Sequence, residues 1–425
     1  VSSLILRLRN SDFVRHGLLV FVALMAANLL LFLFYSLVSR VVGVAEYGIV
    51  TSLISGILLL AVGPATVAGT IVARLAADLR AVGDIAKLRR LGDVMTNATG
   101  VVGAVAFGVV VLAAAPIAQY LHLTSIRTVV LAGIVLGLSY AIPVQRGVLQ
   151  GMEDFNGFAI SNIIECGAKF IASPLLGLRY GVDGVLVGLC IGTLAPWLYN
   201  VIVLRGLGAA PARLKLDVRR IIATSANVGV AVLAVNALLF YDVILVRHYF
   251  SPITAGLYGA SSLVGRAVYT VIAFVPTIVL PKASARRSTG RATESLLAAA
   301  LGTGGVIIAG ALIVVAIAPR LVVSVLAGRA FADAAAFELP YVFGLGALAL
   351  TNVVVMYKVG LHRFDFVVPL ALVAVVEIVS VSIWHATIFQ VLLILCIGHV
   401  SSLATTLYRV TAVKTAKLAA VVGGE

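Results

Sequence analysis

The chain has 425 residues, of which 62% are hydrophobic and 11% charged. Soluble domains are roughly half apolar and a quarter charged, so a water-soluble globular fold is excluded. The formal net charge of +14 would suit a nucleic-acid binder, but the placement of the basic residues along the chain explains it without nucleic acid.

The first stretch, Val1 to Arg15, is polar and basic, and the apolar run starting at Gly17 is too long for the hydrophobic region of a cleavable signal peptide. Val1 fits an alternative start codon, which points to a bacterial gene. Apolar stretches long enough to cross a hydrocarbon core of ~30 Å then recur to the end of the chain. Twelve spans are expected, at about 15–39, 47–73, 93–115, 125–143, 157–178, 182–204, 221–246, 256–280, 294–318, 337–357, 366–384 and 388–408. The fold class that follows is an all-α integral membrane protein. A β-barrel would show alternating segments of ~10 residues instead.

With the N-terminus placed in the cytoplasm, 23 Lys and Arg fall on the cytoplasmic side and 6 on the other, while Lys169 and Arg266 lie inside spans. This bias sets both termini inside, in a bacterial inner membrane, with basic loops against the anionic inner leaflet. Cys166, Cys190 and Cys396 sit in apolar segments without metal-ligand spacing and read as small buried hydrophobes. No glycine-rich nucleotide motif is present, and neither a cofactor nor a metal is expected.

The corner after the first span reads S-R-V-V-G-V-A-E-Y-G-I-V (39–50), and 208 positions on the chain reads R-H-Y-F-S-P-I-T-A-G-L-Y (247–258). At that shift A-A-N-L-L-L-F-L-F-Y-S-L-V (26–38) faces A-V-N-A-L-L-F-Y-D-V-I-L-V (234–246), placing Asn28 over Asn236. Gly48 falls on Gly256 and Arg74 on Lys282; with one residue of slippage G-M-E-D-F (151–155) falls on G-L-H-R-F (360–364). A duplication of six spans explains these landmarks. Because six is even, both halves enter from the same side, giving a parallel repeat about an axis along the membrane normal. Two six-helix bundles, 1–210 and 211–425, are expected around a central cavity.

The pattern resembles the Wzx-type polysaccharide exporters of the multidrug/oligosaccharidyl-lipid/polysaccharide flippase superfamily. The resemblance rests on the two corners above, on V-L-P-K-A-S-A-R-R (279–287) closing the eighth span, and on the turns V-L-Q-G-M-E-D-F and V-G-L-H-R-F. Val44 departs from it, standing where proline is usual. The resemblance implies a flippase that moves a polyprenyl-(di)phosphate-linked glycan between leaflets by alternating access. A glycan polymerase or glycosyltransferases would be its partners, and the chain is expected to act as a monomer and not as an enzyme.

Ionisable groups inside spans cost several kcal/mol unless paired or hydrated, so each is a candidate site. Arg266, midway along span eight, can hold phosphate oxygens or a neighbouring acid. Asp242 in span seven reads either as a partner of Arg247 or as a counter-charge in a cavity. Asn28 and Asn236 fit cargo contact or interhelical hydrogen bonding. Arg74 is a candidate first contact for phosphate, or ordinary positive flanking. Glu165 and Lys169 stand at i, i+4 on span five, while Glu377 in span eleven lies within reach of His399 in span twelve. These four are the ion-coupling candidates, with the driver open between protons, sodium ions and membrane potential. The alternatives are a cation-coupled multidrug exporter of the same superfamily, a membrane glycosyltransferase, which would need a large extramembrane loop, and a scaffold for envelope assembly.

Overall fold

The computed structural model describes residues 12–206, 218–288 and 293–422, which form helices and short connections with no strand among them. The helices are α1 (Asp12–Val41), α2 (Val44–Ala81), α3 (Ile85–Leu112), α4 (Ala114–Tyr120), α5 (Ile126–Ser139) and α6 (Ala141–Gly151). Next comes the 51-residue segment Phe155–Arg205, which is two helices: Gly181 (φ 58°, ψ −138°) breaks it into α7 (155–180) and α8 (182–205). Then follow α9 (Val218–Tyr249), α10 (Pro252–Ile272), α11 (Phe274–Ser288), α12 (Glu294–Ile317), α13 (Pro319–Leu326) and a 3₁₀ turn (Arg329–Ala334). Last are α14 (Ala335–Gly360), α15 (Val367–Ile383) and α16 (Ile388–Val422).

Ten helices among the described residues are long and apolar enough to cross a membrane, and 367–383 is a shorter apolar one. With α7 and α8 counted separately, each of the twelve expected spans has its helix. The chain separates into two compact units, Val1–Ala223 and Thr224–Glu425. The expected boundary at 210/211 lies outside the described residues, as do Arg7, Arg9, Arg213, Lys215 and Arg291 from the charge count.

Several boundaries differ from the sequence expectation for identifiable reasons. Span four runs on past 143 to Gly151, with a break at Tyr140 between α5 and α6. Pro143 has no N–H to give the Ser139 carbonyl, so the helix breaks there and resumes. Pro276 does the same to Ile272, splitting span eight at Ala273. Arg74 does not end span two: good helix formers carry α2 on to Ala81, and Gly83 (φ 72°) stops it. Arg146 and Lys358, expected in cytoplasmic loops, are helix residues of α6 and α14.

In the first unit, Val72 and Ala76 of α2, Leu88 and Leu91 of α3, and Val144 and Val148 of α6 form a buried apolar cluster. Apolar burial gives little drive between helices in lipid, so close backbone approach matters more. A Cβ on Gly151 of α6 would collide with the Ala73 carbonyl of α2. Gly184, Gly188 and Gly192 let α8 lie directly on Leu176, Ser173 and Lys169 of α7. In the second unit Val264 (α10), Val315 (α12) and Val342 (α14) are packed together. There, a Cβ on Gly360 of α14 would lie 2.9 Å from the Leu280 carbonyl oxygen of α11.

The ends of α6 and α14 are built alike. The N–H groups of Met152, Glu153 and Asp154 donate to the carbonyls of Val148, Gln150 and Leu149 at 2.9, 3.0 and 2.9 Å. Those of Leu361, His362 and Arg363 donate to Tyr357, Val359 and Lys358 at 3.1, 2.9 and 2.9 Å. Every one of these six residues is shifted by 209, the slipped register read from the sequence.

Candidate functional site

The first unit holds a cation-rich centre. Ser161, Glu165 and Lys169 follow one another at four-residue steps and so share a face of α7. Arg146 reaches them from α6. Its Nε donates to Ser161 Oγ at 2.9 Å, its Nη2 to the Ser161 carbonyl at 2.8 Å, and its Nη1 lies 2.8 Å from Glu165 Oε2. Lys169 Nζ stands 2.5 Å from the other carboxylate oxygen. One carboxylate therefore serves two cations. The three side chains keep 14%, 20% and 17% of their surface, because they line a cavity. That cavity, of about 340 Å³, is also lined by Asn28, Tyr35 and Asn162. Its size falls in the roughly 300–1,000 Å³ range of small-molecule sites.

The second unit holds an acid-rich centre. Asp242 of α9 is buried, and its Oδ2 accepts from Tyr258 of α10 at 2.9 Å and Tyr341 of α14 at 2.7 Å. Arg266 Nη2 is 3.9 Å from the other oxygen, too far for a hydrogen bond but close enough for charge attraction. The same nitrogen donates to the Leu239 carbonyl at 3.2 Å, and the guanidinium lies 4.7 Å from the Phe240 ring centroid. The neighbouring Tyr241 donates to Glu377 Oε1 of α15 at 2.7 Å. His399 Nε2 of α16 is 3.4 Å from that same oxygen and 3.3 Å from the Leu238 carbonyl. Glu377 fits only because position 398 is glycine: a Cβ there would run into its carboxyl group. A third acid, Glu338, is fully buried on α14 one turn before Tyr341.

The candidates chosen from sequence are thus distributed over two centres. Asn28, Glu165 and Lys169 meet at the first-unit cavity, while Asp242 and Arg266 pair in the second unit, as do Glu377 and His399. Asn236 donates to the Val232 carbonyl on its own helix at 2.8 Å. Arg74 is exposed on α2. Arg146, Glu338, Tyr241 and Tyr341 join these centres without a signal in the sequence that marks them as site residues. Arg146 sits in a Gln- and Gly-containing stretch that reads as a loop; its spacing from Ser161 and Glu165 shows only once α6 and α7 are paired. Among the described residues no three His, Cys, Asp or Glu side chains gather to hold a metal ion.

A family model described as "Polysaccharide biosynthesis protein" matches residues 86–336, more than half of the chain. No curated protein sequence matches it. Among solved structures, an inward-facing multidrug resistance MATE family transporter of the MOP superfamily superposes with a TM-score of 0.73 at 11% identity, covering 92% of this chain and 95% of that one. The lipid II flippase MurJ in an inward closed conformation gives 0.71 at 13% identity, covering 92% and 87%. A MOP superfamily transporter from Pyrococcus furiosus, described as having reversed polarity of its binding pocket, gives 0.53 at 14% identity, covering 94% and 96%. At these identities the likeness is one of fold.

Proposed function

Because the chain belongs to the polysaccharide biosynthesis protein family, we propose that it is a flippase for a polyprenyl-(di)phosphate-linked sugar or oligosaccharide. The cargo would pass from the inner to the outer leaflet of a bacterial cytoplasmic membrane by alternating access. The observation that carries this reading is the first-unit cavity, where Arg146 and Lys169 outnumber Glu165 in charge. A net positive, partly exposed site within the bilayer suits a phosphate-bearing head group. Arg146 presents a planar fork matched to phosphate oxygens, and Asn28 and Asn162 add amide donors for the same group or the first sugar.

The phosphate contact is thereby assigned to Arg146 and Lys169. Arg266 is assigned to Asp242, whose buried charge it faces. The acid-rich centre of the second unit supplies the coupling site: Glu377, shared by Tyr241 and His399, can exchange a proton as neighbouring helices shift. Arg74, exposed on α2, fits a first contact with phosphate at the inner leaflet.

Those buried acids also favour a second reading, a cation-coupled multidrug exporter; the MATE structure matched above is described as a multidrug resistance transporter. Cells lacking the gene separate the two. A flippase loss leaves lipid-linked glycan in the inner leaflet, restored to normal by the wild-type gene and not by Arg146→Ala. A drug exporter loss changes cationic dye accumulation and leaves the glycan lipids untouched, and that outcome would retire the flippase reading.

A further inference from the structure

We infer that Glu165 is a built-in stand-in for the cargo's phosphate, holding Arg146 and Lys169 when the carrier is empty and yielding them when cargo arrives. This rests on the flippase reading above and specifies how its site works.

Three observations carry it. First, the carboxylate makes the contacts an anionic ligand would make: one oxygen on Arg146 Nη1 at 2.8 Å, the other on Lys169 Nζ at 2.5 Å. Secondly, Arg146 does not need Glu165 to stay in place. Ser161 anchors its Nε and Nη2 edge with hydroxyl and carbonyl, while Lys169 Nζ, whose contact is Glu165 itself, is released when that carboxylate moves. Thirdly, Glu165 has somewhere to go. It keeps 20% of its surface and lines a cavity of about 340 Å³ that also holds the amides of Asn28 and Asn162.

The energetics favour exchange in one direction at a time. Two cations left bare in a span are costly, so an empty carrier needs an internal anion to return. A phosphate or diphosphate carries more charge and more acceptor oxygens than one carboxylate and can replace it. Glu165 would then weaken cargo binding and speed release, which is a property of a carrier more than of a receptor. An amide at this position would leave the site bound but slow to turn over.

The test is calorimetric titration of the purified full-length chain in lipid nanodiscs with inorganic diphosphate. Removing the carboxylate in Glu165→Gln is expected to tighten diphosphate binding by about tenfold over wild type, with Arg146→Ala weakening it by about as much. Transport by Glu165→Gln should meanwhile fall. If Glu165→Gln binds no tighter while Arg146→Ala still weakens binding, the stand-in role is overturned and the anion site survives. If diphosphate binds neither wild type nor any variant, the anion site falls with it. Should Glu165→Gln fail to fold, Glu165→Asp decides, since its shorter side chain cannot reach both cations. Binding tighter than wild type supports the role, and equal or weaker binding overturns it.

Discussion

Glu153 and His362 hold the same left-handed backbone conformation, with φ of 57° and 50°, at equivalent turns of the two halves. Neither is glycine, and a side chain in this region costs about 1–2 kcal/mol. The turn hydrogen bonds around each are also the same. The same turn also closes α4 at His122 (φ 51°), so what matches the repeat is the common 209-residue register of the other two and not the turn by itself.

That strain is measurable. His362→Gly is expected to raise stability by about 0.5–1 kcal/mol, the relief of the left-handed penalty less glycine's entropic cost. His362→Val should lower it by about 1 kcal/mol or more, since a β-branched residue tolerates this conformation least. Thermal unfolding of the purified variants reads both.

The close approaches at Gly151 and Gly360 differ in severity. A Cβ on Gly151 would strike both the Ala73 carbonyl and the Ala76 side chain, whereas one on Gly360 would sit at 2.9 Å from Leu280 O and 3.2 Å from Ala283 Cβ. Gly151→Ala should therefore cost more than Gly360→Ala, within the ~1–3 kcal/mol typical of overpacking. Equal costs in the same unfolding assay would contradict this packing.

Asp242 and Arg266 are predicted to be coupled. Asp242→Ala leaves the Tyr258 and Tyr341 hydroxyls without their acceptor and a partly buried guanidinium without its counter-charge, a loss of about 3–5 kcal/mol. Arg266→Ala leaves a buried carboxylate without its counter-charge. The double variant should cost less than the sum of the two, and additivity in this cycle would mean that the 3.9 Å separation carries no interaction.

Glu377→Gln is expected to keep the Tyr241 hydrogen bond, through the amide oxygen, while removing the exchangeable proton. Transport by this variant should lose its dependence on pH. A profile unchanged from wild type would remove Glu377 from the coupling role.

The spans, the corner at 39–50 and the register of the repeat were legible because lipid imposes long apolar runs and because amides, glycines and charges are scarce landmarks in such a composition. The centres were legible only in part. Glu165 and Lys169 declare themselves by helical spacing on one element, and Glu377 by its isolation. Arg146 does not, since its partners are 15 and 19 positions away across a turn and its neighbours look like loop. Tyr241 and Tyr341 read as ordinary aromatic packing; their hydroxyls acquire meaning only when α9, α14 and α15 are brought together. The breaks at Tyr140 and Ala273 have a local cause that the sequence does carry, Pro143 and Pro276 within apolar runs, but hydropathy alone passes over them.

If this chain moves an anionic lipid-linked glycan as proposed, Arg146 helps to carry it. The most direct measurement is the rate at which a polyprenyl diphosphate bearing a fluorescent sugar becomes accessible to a membrane-impermeant quencher across proteoliposomes. Wild-type protein should accelerate this movement, Arg146→Ala should reduce it to near the rate of protein-free vesicles, and Arg146→Lys should recover part of it. Acceleration by Arg146→Ala equal to wild type would contradict the account.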